Sequence, residues 1–191
     1  MFGAETVLFD RCVSKEVFDK GVNLINDFKQ YFKDHGEPVS ENPSPGNKEG
    51  GITTLEEKSL GCVQKGGTAP VVDVLDYGDT LTKPGLNLLN GPGNDIVSIT
   101  NLSAVGCHIV LFTTGRGTPL GGAVPTIKIA SNDNIATKKS HWIDYSAYGF
   151  DKKAKADELL DLIKRVADGE QTKNEIQGNR EIAIFKDGVT L

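Results

Sequence analysis

The feature that most constrains the fold of this chain is an alternation between short strand-like runs and longer segments with helical spacing. Four runs, rich in β-branched or leucine side chains, predict strands over Val71–Leu75, Gly85–Leu89, His108–Thr113 and Thr126–Ser131. His108–Thr113 is the strongest of these predictions, because a continuous apolar run of this length is typical of a central strand covered on both faces.

Helices are predicted from capping residues and from apolar side chains that recur every three or four residues. The four predicted helices run from the Ser14 cap to about Asp34, from a capping box at Thr53-Thr54 to about Gln64, from Ile96 to Val105, and from about Ala154 to Asp168. Gly36–Gly51 holds too many prolines and glycines for a regular element, so it is predicted to be either an ordered, substrate-lining loop or a flexible linker.

Strands that alternate with helices require crossover connections, which produce parallel strands with helices on the faces of the sheet. The predicted fold class is therefore α/β, with a mostly parallel twisted sheet in a three-layer, Rossmann-like arrangement. With 191 residues and 38% hydrophobic content, the chain can bury one sizeable core, and a single domain over residues 1–191 is predicted.

Charge and cysteine content exclude several classes of protein. A net charge of -5 argues against a nucleic-acid or anionic-membrane surface, so an anionic ligand must be held by local cations. No apolar run approaches the roughly 20 residues that span a bilayer, and a cytoplasmic location is expected. The three cysteines and three histidines show no disulfide or metal-ligand spacing, so metal ligands stay unknown.

The most informative candidate for a binding site is the segment Thr113–Pro119, which directly follows the strongest predicted strand. It places the hydroxyls of Thr113 and Thr114 and the guanidinium of Arg116 among glycines. A guanidinium can bind a carboxylate through two parallel hydrogen bonds, and glycines let the backbone approach a ligand. The alternative is a surface loop whose arginine pairs with an acidic neighbour.

A second candidate is the start of the third predicted helix, at Asn94 and Asp95. Backbone N–H groups and the positive end of the helix dipole can bind a carboxylate or a phosphate there. The simpler alternative is a helix cap after a turn. No phosphate-binding P-loop or dinucleotide fingerprint accompanies these glycines, so nucleotide binding is not favoured.

The third candidate segment contains Glu57, Lys58 and Lys65, which offer acid, base and electrostatic roles. An exposed helix face is the alternative interpretation of these residues.

Three motifs, in this order, carry a resemblance to a known family: Glu41–Gly61, Pro92–Asp95 and Phe112–Pro119. Together they resemble the altronate/galactarate dehydratases, a family that also includes sulfolactate sulfo-lyases, and the similarity is continuous from about Gly3 to Phe185. Members of this family are much longer, and the matching region lies in their carboxy-terminal part. The resemblance implies that this chain is the carboxy-terminal catalytic or substrate domain of a longer dehydratase.

The resemblance implies a hydro-lyase that converts a sugar acid of the altronate or galactarate type into a 2-keto-3-deoxy acid. It also implies a divalent metal, iron(II), whose ligands lie largely outside this chain, a homodimer, and contact with an amino-terminal region. Carried onto this chain, it assigns substrate binding to Asn94, Asp95, Thr113, Thr114 and Arg116, and catalytic roles to Lys58, Lys65 and Arg116. The alternatives are a scaffold or dimerisation half without activity of its own, and a sulfolactate sulfo-lyase subunit.

Overall fold

The computed structural model describes residues 2–39, 43, 45–49 and 51–184. The described residues divide into two compact units, one within residues 2–90 and the other within residues 91–184. Within the part of the chain that is described, no helix is both long and apolar enough to span a membrane.

The first unit contains four helices and a pair of parallel strands among its described residues. The elements are α1 (Glu5–Phe9), α2 (Lys15–Asp34), α3 (Pro45–Glu49), α4 (Leu55–Gln64), β1 (Val71–Leu75) and β2 (Leu86–Leu89). β1 and β2 pair in parallel, with Val74 opposite Leu88. The predicted strand Val71–Leu75 and the predicted helix after Ser14 are therefore confirmed.

The two predicted helices of this unit, α2 and α4, begin at predicted caps, Ser14 and Thr54. The Ser14 hydroxyl accepts a hydrogen bond from the Val17 amide at 3.3 Å, at the start of α2. Gly21, in the interior of α2, lies so close to the Phe9 ring that an added Cβ would be 2.8 Å from a ring carbon. This glycine therefore allows α1 and α2 to pack closely, because a larger side chain would clash with the Phe9 ring.

The segment Gly36–Gly51 was predicted to contain no regular element, and this is wrong for Pro45–Glu49, which forms the short helix α3. Proline is well suited to the first turn of a helix, because its missing N–H would have no partner there and its φ angle is already helical. Four residues of this segment and of the first family motif, Glu41, Asn42, Ser44 and Gly50, lie outside the described residues.

The second unit contains a three-stranded parallel sheet and four helices among its described residues. The elements are α5 (Asp95–Val105), β3 (Val110–Thr114), β4 (Thr126–Ala130), α6 (Asp133–Lys138), β5 (Tyr145–Ser146), α7 (Lys152–Ala167) and α8 (Lys173–Gln177). The strand order is β3-β4-β5, and both pairs are parallel. The α/β class and the parallel pairing are confirmed, and the strands are divided between two small sheets.

The strand predicted over His108–Thr113 is confirmed as β3, but its expected position at the centre of the sheet, covered on both faces, is wrong. In this sheet β4 is central and buried at all five positions, whereas β3 lies at the edge and Leu111 is 47% exposed. The apolar run at β3 suggested a strand buried on both faces. The lysine in the middle of β4 suggested that one face of that strand is exposed to solvent, so the sequence did not indicate that β4 is central. Burial depends on what surrounds a strand, so a polar side chain can lie inside when it has buried partners.

The two faces of β4 contact different parts of the unit, as the two-residue period of a strand requires. Ile127 and Ile129 pack with Leu162 and Val166 of α7. The opposite face carries Thr126, Lys128 and Ala130, all buried.

A carboxy-terminal segment, residues 179–183, lies against the loop between β3 and β4. Gly121 N–H donates to the Glu181 carboxylate at 3.0 Å, and Glu181 N–H donates back to the Gly121 carbonyl at 2.8 Å. An added Cβ at Gly121 would lie 2.2 Å from the Asn179 carbonyl oxygen, so only glycine fits this approach.

Candidate functional site

The backbone of the Arg116 loop, residues 113–119, is shaped by the hydroxyl of Thr114. Its Oγ1 accepts hydrogen bonds from the amides of Gly117 at 2.8 Å and Arg116 at 3.3 Å. Gly117 has a φ angle of 74°, in the left-handed region that favours glycine. Thr113 is exposed at the end of β3. One hydroxyl therefore shapes the loop, and the other faces solvent.

Side chains that follow β4 hold the same loop from its other side. Lys139 Nζ donates to the Arg116 carbonyl at 2.7 Å and to the Gly117 carbonyl at 3.5 Å. Asn132 Nδ2 donates to the Gly115 carbonyl at 3.1 Å. These contacts fix the backbone of the loop around Arg116, and none of them uses the Arg116 side chain.

The guanidinium of Arg116 is exposed, and it forms no hydrogen bond or ion pair with any residue that the structure describes. The other three arginines behave differently. Arg11 donates to the carbonyls of Gly66, Gly67 and Ala69, Arg165 pairs with Glu170 at 2.6 Å, and Arg180 pairs with Glu175 at 3.9 Å. An acidic partner for Arg116, the alternative considered above, is not found in the described part of the chain.

Asn94 caps α5, since its Oδ1 accepts from the Val97 amide at 3.5 Å. Asn94 and Asp95 are both exposed, so the first turn of α5 is accessible. Only residues 106–109 join α5 to β3, and the two elements pack together, so they run in opposite directions. This connection favours a placement of the α5 start and the Arg116 loop towards the same end of the second unit.

Lys58 and Lys65 belong to the first unit and lie on α4 and at its carboxyl end. Lys58 is half-buried, and its Nζ donates to Asn47 Oδ1 of α3 at 2.9 Å. Lys65 is exposed. The N-cap of α4 is Thr54, and the carboxylate of Glu57 in the first turn accepts from the Thr53 amide at 3.0 Å and from the Thr53 hydroxyl at 3.2 Å.

The hydrogen bonds from Thr53 influence the charge state of Glu57. The hydrogen bond from the Thr53 backbone, followed by that from the Thr53 hydroxyl, lowers the pKa of this carboxyl group. Glu57 is therefore ionised at neutral pH and is suited to capping a helix, whereas a general acid needs a raised pKa.

The residue that sequence reasoning missed is Lys128, in the middle of β4. It is 0% exposed, and its Nζ donates to the Thr118 carbonyl and, at 2.7 Å, to Asn174 Oδ1. Burial lowers the pKa of Lys128 to about 8, although the charges of Asp144 and Glu181 oppose this shift. A lysine between two isoleucines also fits a strand with one solvated face, so the sequence carries no specific signal for its burial.

The surroundings of Lys128 form a buried polar network that joins β4 to α8. Asn174 is 1% exposed, and its Nδ2 donates to the Thr126 carbonyl at 3.2 Å. Asp144 accepts from the Lys128 amide at 2.7 Å through one oxygen and from the Lys173 amide at 2.8 Å through the other. Each of these polar groups is satisfied, which is what a stable buried network requires.

The described residues include histidine, cysteine, aspartate and glutamate side chains, the usual ligands of a metal centre. Among them, no group of three or more histidine, cysteine, aspartate or glutamate side chains is placed to hold a metal ion. The described residues alone do not fit an iron site, which needs several such ligands around one ion.

Comparison with known proteins confirms the resemblance. The family model for the carboxy-terminal part of D-galactarate/altronate dehydratases matches residues 1–190. The chain is 57% identical over 195 residues to altronate dehydratase of Escherichia coli K12, and 54% identical over 196 residues to altronate dehydratase of Bacillus subtilis 168. Each alignment covers 100% of this chain and 39% of the relative, so the chain spans less than half the length of these enzymes.

A more distant relative is named for a different activity. The (2R)-sulfolactate sulfo-lyase subunit beta of Chromohalobacter salexigens is 32% identical over 193 residues, which covers 96% of this chain and 50% of that subunit. The family match extends over nearly the whole chain and agrees with the motifs around Arg116 and Asn94. The chain therefore belongs to the D-galactarate/altronate dehydratase family, as its carboxy-terminal part.

Proposed function

We propose that this chain supplies a carboxylate-binding part of a hydro-lyase that dehydrates a sugar acid of the altronate or galactarate type. The observation that carries the proposal is the guanidinium of Arg116, which is exposed and without a partner among the described residues, on a loop whose backbone is fixed by Thr114 and Lys139. The 57% identity to an altronate dehydratase supports the choice of substrate class.

The proposed reaction is a β-elimination. A base removes the proton on the carbon next to the carboxylate, the C–O bond on the following carbon breaks, and the departing hydroxide takes up a proton to leave as water. The enol that results tautomerises to a 2-keto-3-deoxy acid. The guanidinium of Arg116 binds the carboxylate through two hydrogen bonds and stabilises the enediolate charge as it develops.

The remaining roles are proposed for groups in each of the two units. The Thr113 hydroxyl, the Thr114 hydroxyl proton and the start of α5 at Asn94 and Asp95 bind the hydroxyl groups and carboxylate of the substrate. Lys58 or Lys65 supplies charge or transfers a proton, and Lys58 is the better supported of the two because it is half-buried.

For the whole enzyme, iron(II) stays a proposal from the family resemblance, and its ligands would come from outside the residues described above. The homodimer, the contact with an amino-terminal region and the cytoplasmic location are proposals of the same kind. Light scattering of the purified protein tests the proposed homodimer, since a dimer has twice the mass of the encoded chain.

The test of the proposed function is a comparison of arginine variants in the protein as its gene encodes it, assayed on altronate and galactarate with iron(II). We expect Arg116→Ala to lower kcat/KM by roughly 100-fold or more, because it removes the cation opposite a developing negative charge. Arg165→Ala is the matched control, because it removes a surface arginine that already pairs with Glu170, and it should stay within about twofold of the wild type. Near-normal turnover in Arg116→Ala would reject the assignment.

Two alternatives are decided by the same assay. The relationship to a sulfo-lyase subunit favours (2R)-sulfolactate as a second substrate to be tested, and turnover of that compound alone would assign the chain to sulfite release. A protein that is folded and inert on all three acids would favour a scaffold or dimerisation role. Folding is checked by circular dichroism in each case.

A further inference from the structure

Lys128 is the one described lysine that is fully buried, and its position connects the central strand to the Arg116 loop. Its ammonium group contacts the carbonyl of Thr118, two residues after Arg116. Together with Lys139, it holds the carbonyls of three successive residues, Arg116, Gly117 and Thr118. One ammonium group comes from inside the unit and the other from its surface, so the loop is held from two directions.

The positive charge of Lys128 has no ion-pair partner among the described residues. Its two contacts are neutral oxygens, from Thr118 and Asn174. Burial of a cation without a paired carboxylate costs free energy, and such groups concentrate at functional sites.

Other charged groups around Lys128 are engaged elsewhere or act only at a distance. Asp144 binds two backbone amides, Glu181 binds the Gly121 amide, and both attract the ammonium electrostatically. On α8, Lys173 donates to the carbonyls of Ser140 and Ile143, and Glu175 caps its own helix.

We propose that Lys128 is a positioning residue for carboxylate binding, which fixes the Arg116 loop through the Thr118 carbonyl and adds a positive charge behind it. The proposal rests on the proposed function, in which Arg116 binds the carboxylate of the substrate. Lys128 acts through the loop and does not touch the substrate.

The proposal has a pH signature, because the pKa of Lys128 is lowered to about 8. A neutral amine keeps two N–H donors for Thr118 and Asn174, so the loop geometry survives deprotonation while the charge is lost. The KM for a sugar acid should therefore rise as the pH passes through about 8, whereas kcat should change less.

The kinetic test uses the full protein and altronate between pH 6.5 and 9.5. In the wild type, KM should rise on the order of tenfold as one nearby charge is lost. Lys128→Arg keeps the charge and should hold KM low across the range, whereas Lys128→Met should raise KM at all pH values and remove its pH dependence. Lys164→Met, which changes an exposed lysine paired with Asp161, is the control and should follow the wild type.

A wild-type KM that is constant across pH 8 would overturn the proposal, as would a Lys128→Arg variant that keeps the wild-type pH dependence. A second readout is independent of catalysis and of any loss of folding in the variants. The amide NMR signals of Gly117 and Thr118 in the wild type should titrate with a midpoint near 8.

The two readouts separate this proposal from the proposed function. If the amide signals titrate near pH 8 and no sugar acid is turned over, the proposed function fails and the link from Lys128 to the loop stands. If turnover is normal and the signals do not titrate, the role of Lys128 is rejected.

Discussion

Asn174 shows how much one buried side chain can determine. It is 1% exposed, accepts from the Lys128 ammonium group at 2.7 Å and donates to the Thr126 carbonyl at 3.2 Å. An amide can do both because it carries a donor and an acceptor. Asn174 therefore stabilises the protonated form of Lys128 without adding a negative charge to the interior.

Removal of this acceptor leads to the first prediction. In Asn174→Ala the ammonium loses a hydrogen-bond acceptor, so the pKa of Lys128 should fall further below its value of about 8. The Thr126 carbonyl also loses its donor, which should destabilise the protein by about 1–3 kcal/mol. An NMR titration of the Lys128 side chain measures the pKa, and Asn179→Ala, at a more exposed asparagine, should leave it unchanged.

At the scale of elements, features that depend on neighbouring residues, such as helix caps, were predicted from the sequence. Features that depend on contacts between distant residues, such as burial, were not. A cap was predicted at Ser14, at Thr53 or Thr54, and, as one of two alternatives, at Asn94. Ser14, Thr54 and Asn94 form these caps, and such signals are visible in the sequence because a cap depends on residues three positions apart. The burial of Lys128 was not predicted, because its partners Thr118 and Asn174 lie 10 and 46 positions away. In α7 the buried residues are Leu162 and Val166, whereas Leu160 is 50% exposed.

The candidate site follows the same division. The sequence indicated Arg116 from the glycines around it, and the structure places the loop as expected after β3. The contacts of Lys128 and Lys139 with this loop were not predicted, because each lysine lies well outside the loop in the sequence. No sequence pattern of a few residues records such long-range contacts.

Asn94 allows a helix cap to be distinguished from a ligand-binding group. Asn94→Ala should destabilise the protein by about 1 kcal/mol, because the first turn of α5 loses its cap, and Asn94→Ser should restore the cap. If the Asn94 side chain also binds substrate, Asn94→Ser should regain stability while KM stays raised. Thermal unfolding and KM for altronate are measured on both variants. Full recovery of both quantities in Asn94→Ser would reduce Asn94 to a structural cap.

For the whole molecule, the sequence predicted the family, but it did not predict the division of the chain into two compact units. Several long motifs in the same order identify a family even when each is weak alone, and the match to residues 1–190 confirms this. The division into two compact units, at Asn90, falls between β2 and the turn that leads to Asn94, where no apolar pattern marks a boundary. The single domain over residues 1–191 stays a prediction, and calorimetry tests it through the number of unfolding transitions.

The stability of the molecule should depend on pH through Lys128. Its pKa is about 8 in the folded protein against 10.5 for a free lysine, so the unfolded chain binds more protons between these values. The free energy of unfolding should therefore increase as the pH rises from about 8 to 10.5, by up to about 3 kcal/mol relative to Lys128→Met.

Denaturant unfolding, followed by the fluorescence of Trp142, measures this difference, because Trp142 is the single tryptophan and lies in the second unit. The comparison with Lys128→Met cancels the titration of tyrosines and of the other lysines. A difference in stability that is the same at pH 7.5 and pH 10.5 would contradict the prediction.

The guanidinium of Arg116 has no ion-pair partner in the described part of the chain, so a ligand does not have to displace one in order to bind. A carboxylate can then associate at a rate set by diffusion, without waiting for an internal ion pair to dissociate. The same openness makes Arg116 a target for any small anion in solution. Phosphate and citrate should therefore act as competitive inhibitors, and the choice of buffer should alter the apparent affinity for substrate.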